Sequence, residues 1–342
     1  MPSRRPNFFY HLHPPFIPER EARFRYTFGL GGISAFLFLI LAITGVLLTF
    51  FYVPTPEEAF PSLAIITFQV PFGWLMRNLH YWAAQAMVVA VVLHLLRVVF
   101  TGAYKPPRRF NTLIGLALLV ITLLLNFTGY VLRWDEGTHW ALAVGTNLVR
   151  ETPLIGDALY SMVVGGTDIG PATAIRFYAW HILGLAVPAF FLIGWHVFRV
   201  RRDGGISHRP RDHDRAPRLP RARLVQTETL AMLIVLAALI LLSILIPAPL
   251  GARADLPARP DKAQAPWFFL WVQALLRFLP PVWAGVLIPL GLLLLLALIP
   301  YAIDRSATGV AEWFNREGRL AQVVIVLMFS GIVILTLIEM GQ

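Results

Sequence analysis

The sequence contains no cysteine among its 342 residues. Disulfides, thiolate-held iron–sulfur clusters and thioether-linked haem are therefore excluded, leaving histidine, methionine and carboxylate to bind any metal. Charge is also scarce, at 14% of residues against 57% hydrophobic. That balance is too apolar for one or two soluble domains. Acidic residues are the rarer sign, 19 against 29 basic ones, for a formal net charge of +10. In a soluble protein such an excess would suggest nucleic acid. Here the arginines gather in a few segments between apolar runs, which is how membrane orientation is written, so no nucleic-acid binding is expected. Residues 1–21 carry proline and charge but no apolar core, and no cleavable signal peptide is expected there.

What the chain has instead is long hydrophobic runs. Seven of them, at about 30–52, 76–101, 112–132, 174–199, 225–247, 283–303 and 320–338, approach the length of ~20 residues that a helix needs to cross a bilayer. The expected fold is an all-α integral membrane protein of seven transmembrane helices. The connections alternate in charge: residues 1–25, 105–109, 199–223 and 304–319 carry most of the cations, whereas 54–73 has Glu57 and Glu58 and no Lys or Arg. The positive-inside rule then places the N-terminus in the cytoplasm and, after an odd number of spans, Gln342 outside an inner (cytoplasmic) membrane.

Residues 199–223 hold nine arginines, interrupted by five glycines or prolines, and read as a linker between two parts. The division expected is a cytoplasmic segment 1–29, a four-helix part 30–200, a linker 201–223 and a three-helix part 224–342. Two outer segments, 132–172 and 247–281, are too long for simple turns, and loops of that length usually carry function.

Of nine histidines, only His80, His94, His181 and His196 fall in the runs. His80 and His94 are fourteen residues apart, close to four helical turns, so both leave one face with ~21 Å between them along the axis. His181 and His196 are fifteen apart on the fourth span, again about four turns. Both spans run from outside to inside, so His80 lies level with His181 and His94 with His196. A lone intramembrane histidine often just bonds a neighbouring helix, but matched pairs of costly ionisable groups mark ion, proton or electron pathways. Zinc calls for a tighter cluster of three or four ligands, whereas haem takes one imidazole on each side of a flat ring. Two haem sites, one above the other, are expected.

A flat macrocycle needs room. Gly31 and Gly45 on the first span, and Gly115 and Gly129 on the third, repeat the fourteen-residue interval, which suggests clearance for haem as well as the close helix packing usual for membrane glycines. Arg77 and Arg176 near the outer histidines, and Arg97 near the inner one, are placed to pair with haem propionates or to snorkel to the interface.

At this point the residues resemble the cytochrome b/b6 family, the haem-bearing core of quinol-oxidising bc complexes. The stretches that carry the likeness are GLGGISAFLFLILAITG at 29–45, FYVPTPEEAF at 51–60, FGWLMRNLHYWAAQAMVVAVVLHLLRV at 72–98, TGYVLRWDE at 128–136 and TAIRFYAWH at 173–181, with Pro188 placed to kink the fourth span. The fifteen-residue interval is similar to the b6 branch, and 224–342 resembles the three-helix partner called subunit IV, fused here to the front half. The resemblance implies a front four-helix bundle holding two non-covalent haems b, outer on His80 and His181 and inner on His94 and His196. The b6 branch places a haem-anchoring cysteine where this chain has Gly29, so no covalent haem is expected.

The resemblance also implies quinol oxidation at the outer face beneath segments 130–140 and 261–275. One electron goes to a Rieske-type iron–sulfur protein and on to a cytochrome c; the other crosses to reduce quinone near the inner face, with protons released outside and consumed inside. Family complexes are usually homodimers in lipid. Tyr130, Trp134, Trp267 and Phe268 are candidate walls for a quinone ring. Where the family has Pro-Glu-Trp-Tyr, this chain reads Ala265, Pro266, Trp267 and Phe268, and its Pro-Trp-Asp pattern reads Arg133, Trp134 and Asp135. Proline accepts no proton, which makes Asp135 and Glu136 the candidate catalytic carboxylates, although Asp135 also suits the cap of a helix starting near Thr138. The alternative reading is a dihaem membrane anchor that exchanges electrons between quinone and another oxidoreductase without bifurcation.

Overall fold

The computed structural model describes residues 15–207, 217–253 and 264–342. The expected N-terminal segment 1–29, linker 201–223 and outer loop 247–281 thus fall partly outside the described residues, at 1–14, 208–216 and 254–263.

Among the described residues seven helices are long and apolar enough to cross a membrane: Leu30–Thr49, Gly73–Phe100, Arg109–Val131, Pro171–Arg202, Arg221–Leu245, Val282–Ile303 and Arg319–Met340. In chain order they are the first to seventh spans. Helices suit these sequences because hydrocarbon offers no partner for a backbone N–H or C=O, and only an internally bonded segment satisfies both. Large apolar side chains such as Ile43, Val46, Leu233, Ile234, Leu294, Leu327 and Ile334 are exposed, the surface that acyl chains would cover.

Small residues let the spans approach. Ala83 on the second span is fully buried among Leu37, Ile40, Leu79, Met87 and Leu239, joining the first, second and fifth spans. A second cluster of Val99, Leu116, Leu296, Ile299, Ala321 and Ile325 ties the second and third spans to the sixth and seventh. The three-helix part therefore packs directly on the front bundle.

On the arginine-bearing face, strand β1 (Phe16–Pro18) pairs antiparallel with β2 (Arg218–Pro220), tying the beginning of the front part to the beginning of the fifth span. On the opposite face the long segments are structured. Ala59–Phe68 forms a short apolar helix, and 132–172 contains helices Glu136–Arg150 and Gly156–Val164. The fourth span is not uniform: Trp180–Leu185 is a wider π turn, upstream of Pro188.

Candidate haem sites between the front helices

The second and fourth spans bring the four histidines together in two pairs. The ring centroids of His80 and His181 are 6.2 Å apart, and those of His94 and His196 are 6.5 Å apart. A metal held by both imidazoles of a pair, with ~2.0 Å metal–nitrogen bonds and ~1.1 Å from nitrogen to ring centre, needs centroids ~6.2 Å apart. The two pairs have the spacing of axial ligands. Among the described residues no group of three or more His, Asp or Glu converges in the manner of a zinc cluster.

The glycines explain how the rings fit. A Cβ on Gly45 would stand 3.2 Å from the His80 ring edge, on Gly129 2.8 Å from His181, on Gly31 3.3 Å from His94 and on Gly115 3.4 Å from His196. Each glycine therefore clears space for the imidazole of its own site, and a haem held by that imidazole would need the same room. Two threonines just before glycines complete the His80–His181 site. The Thr44 hydroxyl donates to the Ile40 carbonyl at 2.7 Å and lies 2.9 Å from His80 Nδ1. Thr128 donates to Leu124 at 2.9 Å and lies 3.0 Å from His181 Nδ1. A hydroxyl has one proton, and with that proton on the helix carbonyl its lone pair accepts from Nδ1–H. The hydrogen-bond network thus assigns the proton to Nδ1 and leaves Nε2 bare on both rings. Sequence reasoning missed these threonines; the signal that could have found them is the Thr-Gly pair, seen at 44–45 and again at 128–129.

The arginines divide. Arg97 is buried, donates through Nε to the Tyr26 carbonyl at 3.0 Å and stacks over the Tyr26 ring. Its Nη2 has no partner, and the residue lines the cavity shared by His94, His196, Gly31 and Gly115. A buried guanidinium nitrogen left open at that point fits an anionic propionate. Arg77 and Arg176 bond backbone carbonyls. Arg77 donates to the carbonyls of Ala248 and Pro249, and Arg176 to those of Ser161 and Met162. Their donors are drawn to backbone acceptors that loops and helix ends leave open.

The aromatic candidates do not form one wall. Trp134 is buried with Leu142 and Phe177 in a cluster that Tyr130 flanks, and the Arg133 guanidinium covers the Tyr130 ring. Phe268 is buried, and Trp267 turns the other way, donating to Gln85 on the second span at 2.6 Å. Phe269 meets Phe127 of the third span, with ring centroids 6.0 Å apart. Behind them, Ala265 N–H donates to Gln273 at 2.6 Å, and Gln273 and Arg277 both bond the buried carboxylate of Glu339. Sequence reasoning missed this brace because Glu339 sits at the end of the last span.

Asp135 is also reassigned. It is 1% exposed and is the N-cap of helix Glu136–Arg150, which begins at Glu136 and not near Thr138. Its Oδ1 accepts from Thr138 N–H, its Oδ2 accepts from Gly251 N–H, and Arg133 approaches to 3.3 Å. A carboxylate occupied on both oxygens is a cap and a loop anchor. Glu136 is half-buried beside it.

Comparison with known proteins agrees with this arrangement. Residues 19–204 match the profile of the family described as cytochrome b/b6/petB, and residues 253–341 match that of cytochrome b(C-terminal)/b6/petD. Cytochrome b6 of Heliobacterium modesticaldum is 42% identical over 193 residues, covering 56% of this chain and 88% of the relative. Cytochrome b6 of Synechococcus sp. (strain JA-3-3Ab) is 38% identical over 195 residues, covering 56% of this chain and 91% of the relative. A solved structure described as a hyperthermophilic respiratory Complex III shares the fold, with a TM-score of 0.78 at 21% identity over 98% of this chain and 96% of that one. With seven spans, two facing histidine pairs and a profile match over the whole front part, the chain belongs to the cytochrome b/b6 family of haem-binding, electron-transporting membrane proteins.

Proposed function

We propose that the chain is the dihaem cytochrome b subunit of a bc-type quinol:cytochrome c oxidoreductase, carrying electrons across the membrane between two quinone sites and coupling this to proton translocation. The observation that carries the reading is the two facing histidine pairs at ligand spacing. His80 and His181 hold one haem b, and His94 and His196 the other. Haem b supplies a one-electron couple at each level. The chain's own residues supply position: threonine hydroxyls fix two imidazoles, glycines admit the rings, and Arg97 offers its open nitrogen. The front part 30–200 houses these sites and the rear part 224–342 braces them.

The positive-inside rule orients the molecule with its N-terminus in the cytoplasm and its C-terminus outside the inner membrane. The His80–His181 site then lies nearer the outside. Quinol is oxidised there, between helix Glu136–Arg150 and the segment around Phe269, with electrons passing to a Rieske-type protein and a cytochrome c in a homodimeric complex. With Asp135 engaged as a cap, Glu136 is the proton acceptor. Glu136→Gln is expected to slow quinol-driven haem reduction by about 10²-fold while haem content stays unchanged. An unchanged rate and pH profile would move the acceptor to a partner. Thr44→Val and Thr128→Val are expected to weaken metal retention at the His80–His181 site by about 10–100-fold, measured by haem loss on dilution, and to spare the other site.

Purification from its native membrane tests the whole reading. Two haems b per chain, co-purifying with a Rieske-type protein and a cytochrome c, and quinol-dependent cytochrome c reduction are the expected results. Pro266 in place of the family's glutamate favours one other reading, a dihaem anchor without bifurcation. Two haems with neither partner present would select it.

A further inference from the structure

The two histidine intervals are unequal: fourteen residues separate His80 from His94, and fifteen separate His181 from His196. Each residue of an α-helix turns the chain by about 100°. Two regular helices would therefore point their second histidines about 100° apart once the first were aligned. Yet both pairs meet at nearly equal centroid distances, 6.2 and 6.5 Å.

We propose that the π turn Trp180–Leu185 is a phase corrector that absorbs the fifteenth residue, and that Gly184 is the positioning residue that permits it. This rests on the histidines being the haem ligands. A π turn inserted in an α-helix accommodates one additional residue without rotating the rest of the helix. It contains His181 and runs into the longer interval as far as Leu185. At its end Leu185 has φ −117°, far from the helical value, whereas Ala186 returns to −69°. The cause is local. Pro188 has no N–H, so the Gly184 carbonyl has no α-helical partner and the ladder is open at this place. The Trp180 ring lies against Gly184 so closely that a Cβ there would overlap it. Gly73–Phe100, which carries the fourteen-residue interval, is α-helical throughout and needs no such device.

Deleting Leu185 from the full chain tests the proposal, with deletion of Val89, which lies between His80 and His94 and is half-exposed, as the matched control. Haem per chain and the reduced-minus-oxidised spectrum of the purified protein are the readouts. The expected result is two haems in the Leu185 deletion, whose interval becomes a regular fourteen, and one or none in the Val89 deletion. Inserting one alanine after Leu185 is expected to lose haem, because the turn has no further slack. Gly184→Leu is expected to lose the His181 site, and Trp180→Ala in the same chain is expected to restore it. Loss of haem from the Leu185 deletion to the same extent as from the Val89 deletion overturns the proposal. Fewer than two haems in the unaltered protein overturns the ligand reading instead.

Discussion

Replacing His80 or His181 with leucine is expected to halve the haem content of the purified chain and remove one spectral component; replacing His94 or His196 is expected to remove the other. Leucine fills much of the imidazole space but has no lone pair, so the site loses an axial ligand without losing its packing. The two sites lie ~21 Å apart along the second span, a distance at which local substitutions act independently. The His80 and His181 variants should therefore share one spectrum, since their rings face each other at 6.2 Å. Loss of the same component from His80→Leu and His94→Leu would overturn the pairing.

The second large effect is expected at Lys105. Its ammonium group is fully buried on the arginine-bearing face, 3.1 Å from the Asp304 carboxylate, 2.9 Å from Ser306 Oγ, 2.7 Å from the Thr308 carbonyl and 2.9 Å from Asn315 Oδ1. Tyr104 donates to the same aspartate. Lys105→Met leaves a buried carboxylate without its cation, which costs about 3–5 kcal/mol. The measurement is thermal unfolding in detergent, followed by loss of the haem spectrum. Adding Asp304→Asn is expected to recover part of the loss, because the uncompensated charge goes with it.

The same cluster gives a pH dependence. Burial alone would raise the Asp304 carboxyl, but hydrogen bonds from Ser306, Tyr104 and Lys105 outweigh it and hold it below the ordinary carboxylate range. A carboxyl depressed in the folded state stabilises above its unfolded pKa of ~4 and loses that contribution as pH falls through the folded value. Acid should thus release the clasp between the 101–108 and 304–318 segments, and Asp304→Asn should flatten that limb of the curve.

The number of spans and the pairing of the histidines were legible in the sequence because they depend on hydrophobic length and helical rise, both local properties. The partners of Lys105 were not, since Ser306 lies 201 residues away in the chain. The backbone acceptors of Arg77 were hidden for a related reason, since the Ala248 and Pro249 carbonyls lie 171 and 172 residues downstream. The carboxylate pair was half legible: Asp135 has the type and place of a cap, and only the fold shows Gly251 taking its second oxygen. Reading fourteen and fifteen residues alike as about four turns concealed a rotation that the backbone had to correct.

The end of the fifth span bears on how the molecule is built in the cell. Pro247 and Pro249 come directly after its last turn, and neither can donate to the carbonyls behind it. The donors come from the second span instead: Asn78 to Ser243, Trp82 to Ile246, and Arg77 to Ala248 and Pro249. Synthesised without the front half, this helix would emerge from the translocon with those carbonyls open to interfacial water alone. Because translation delivers the second span first, a ready template stands in the bilayer when the fifth arrives.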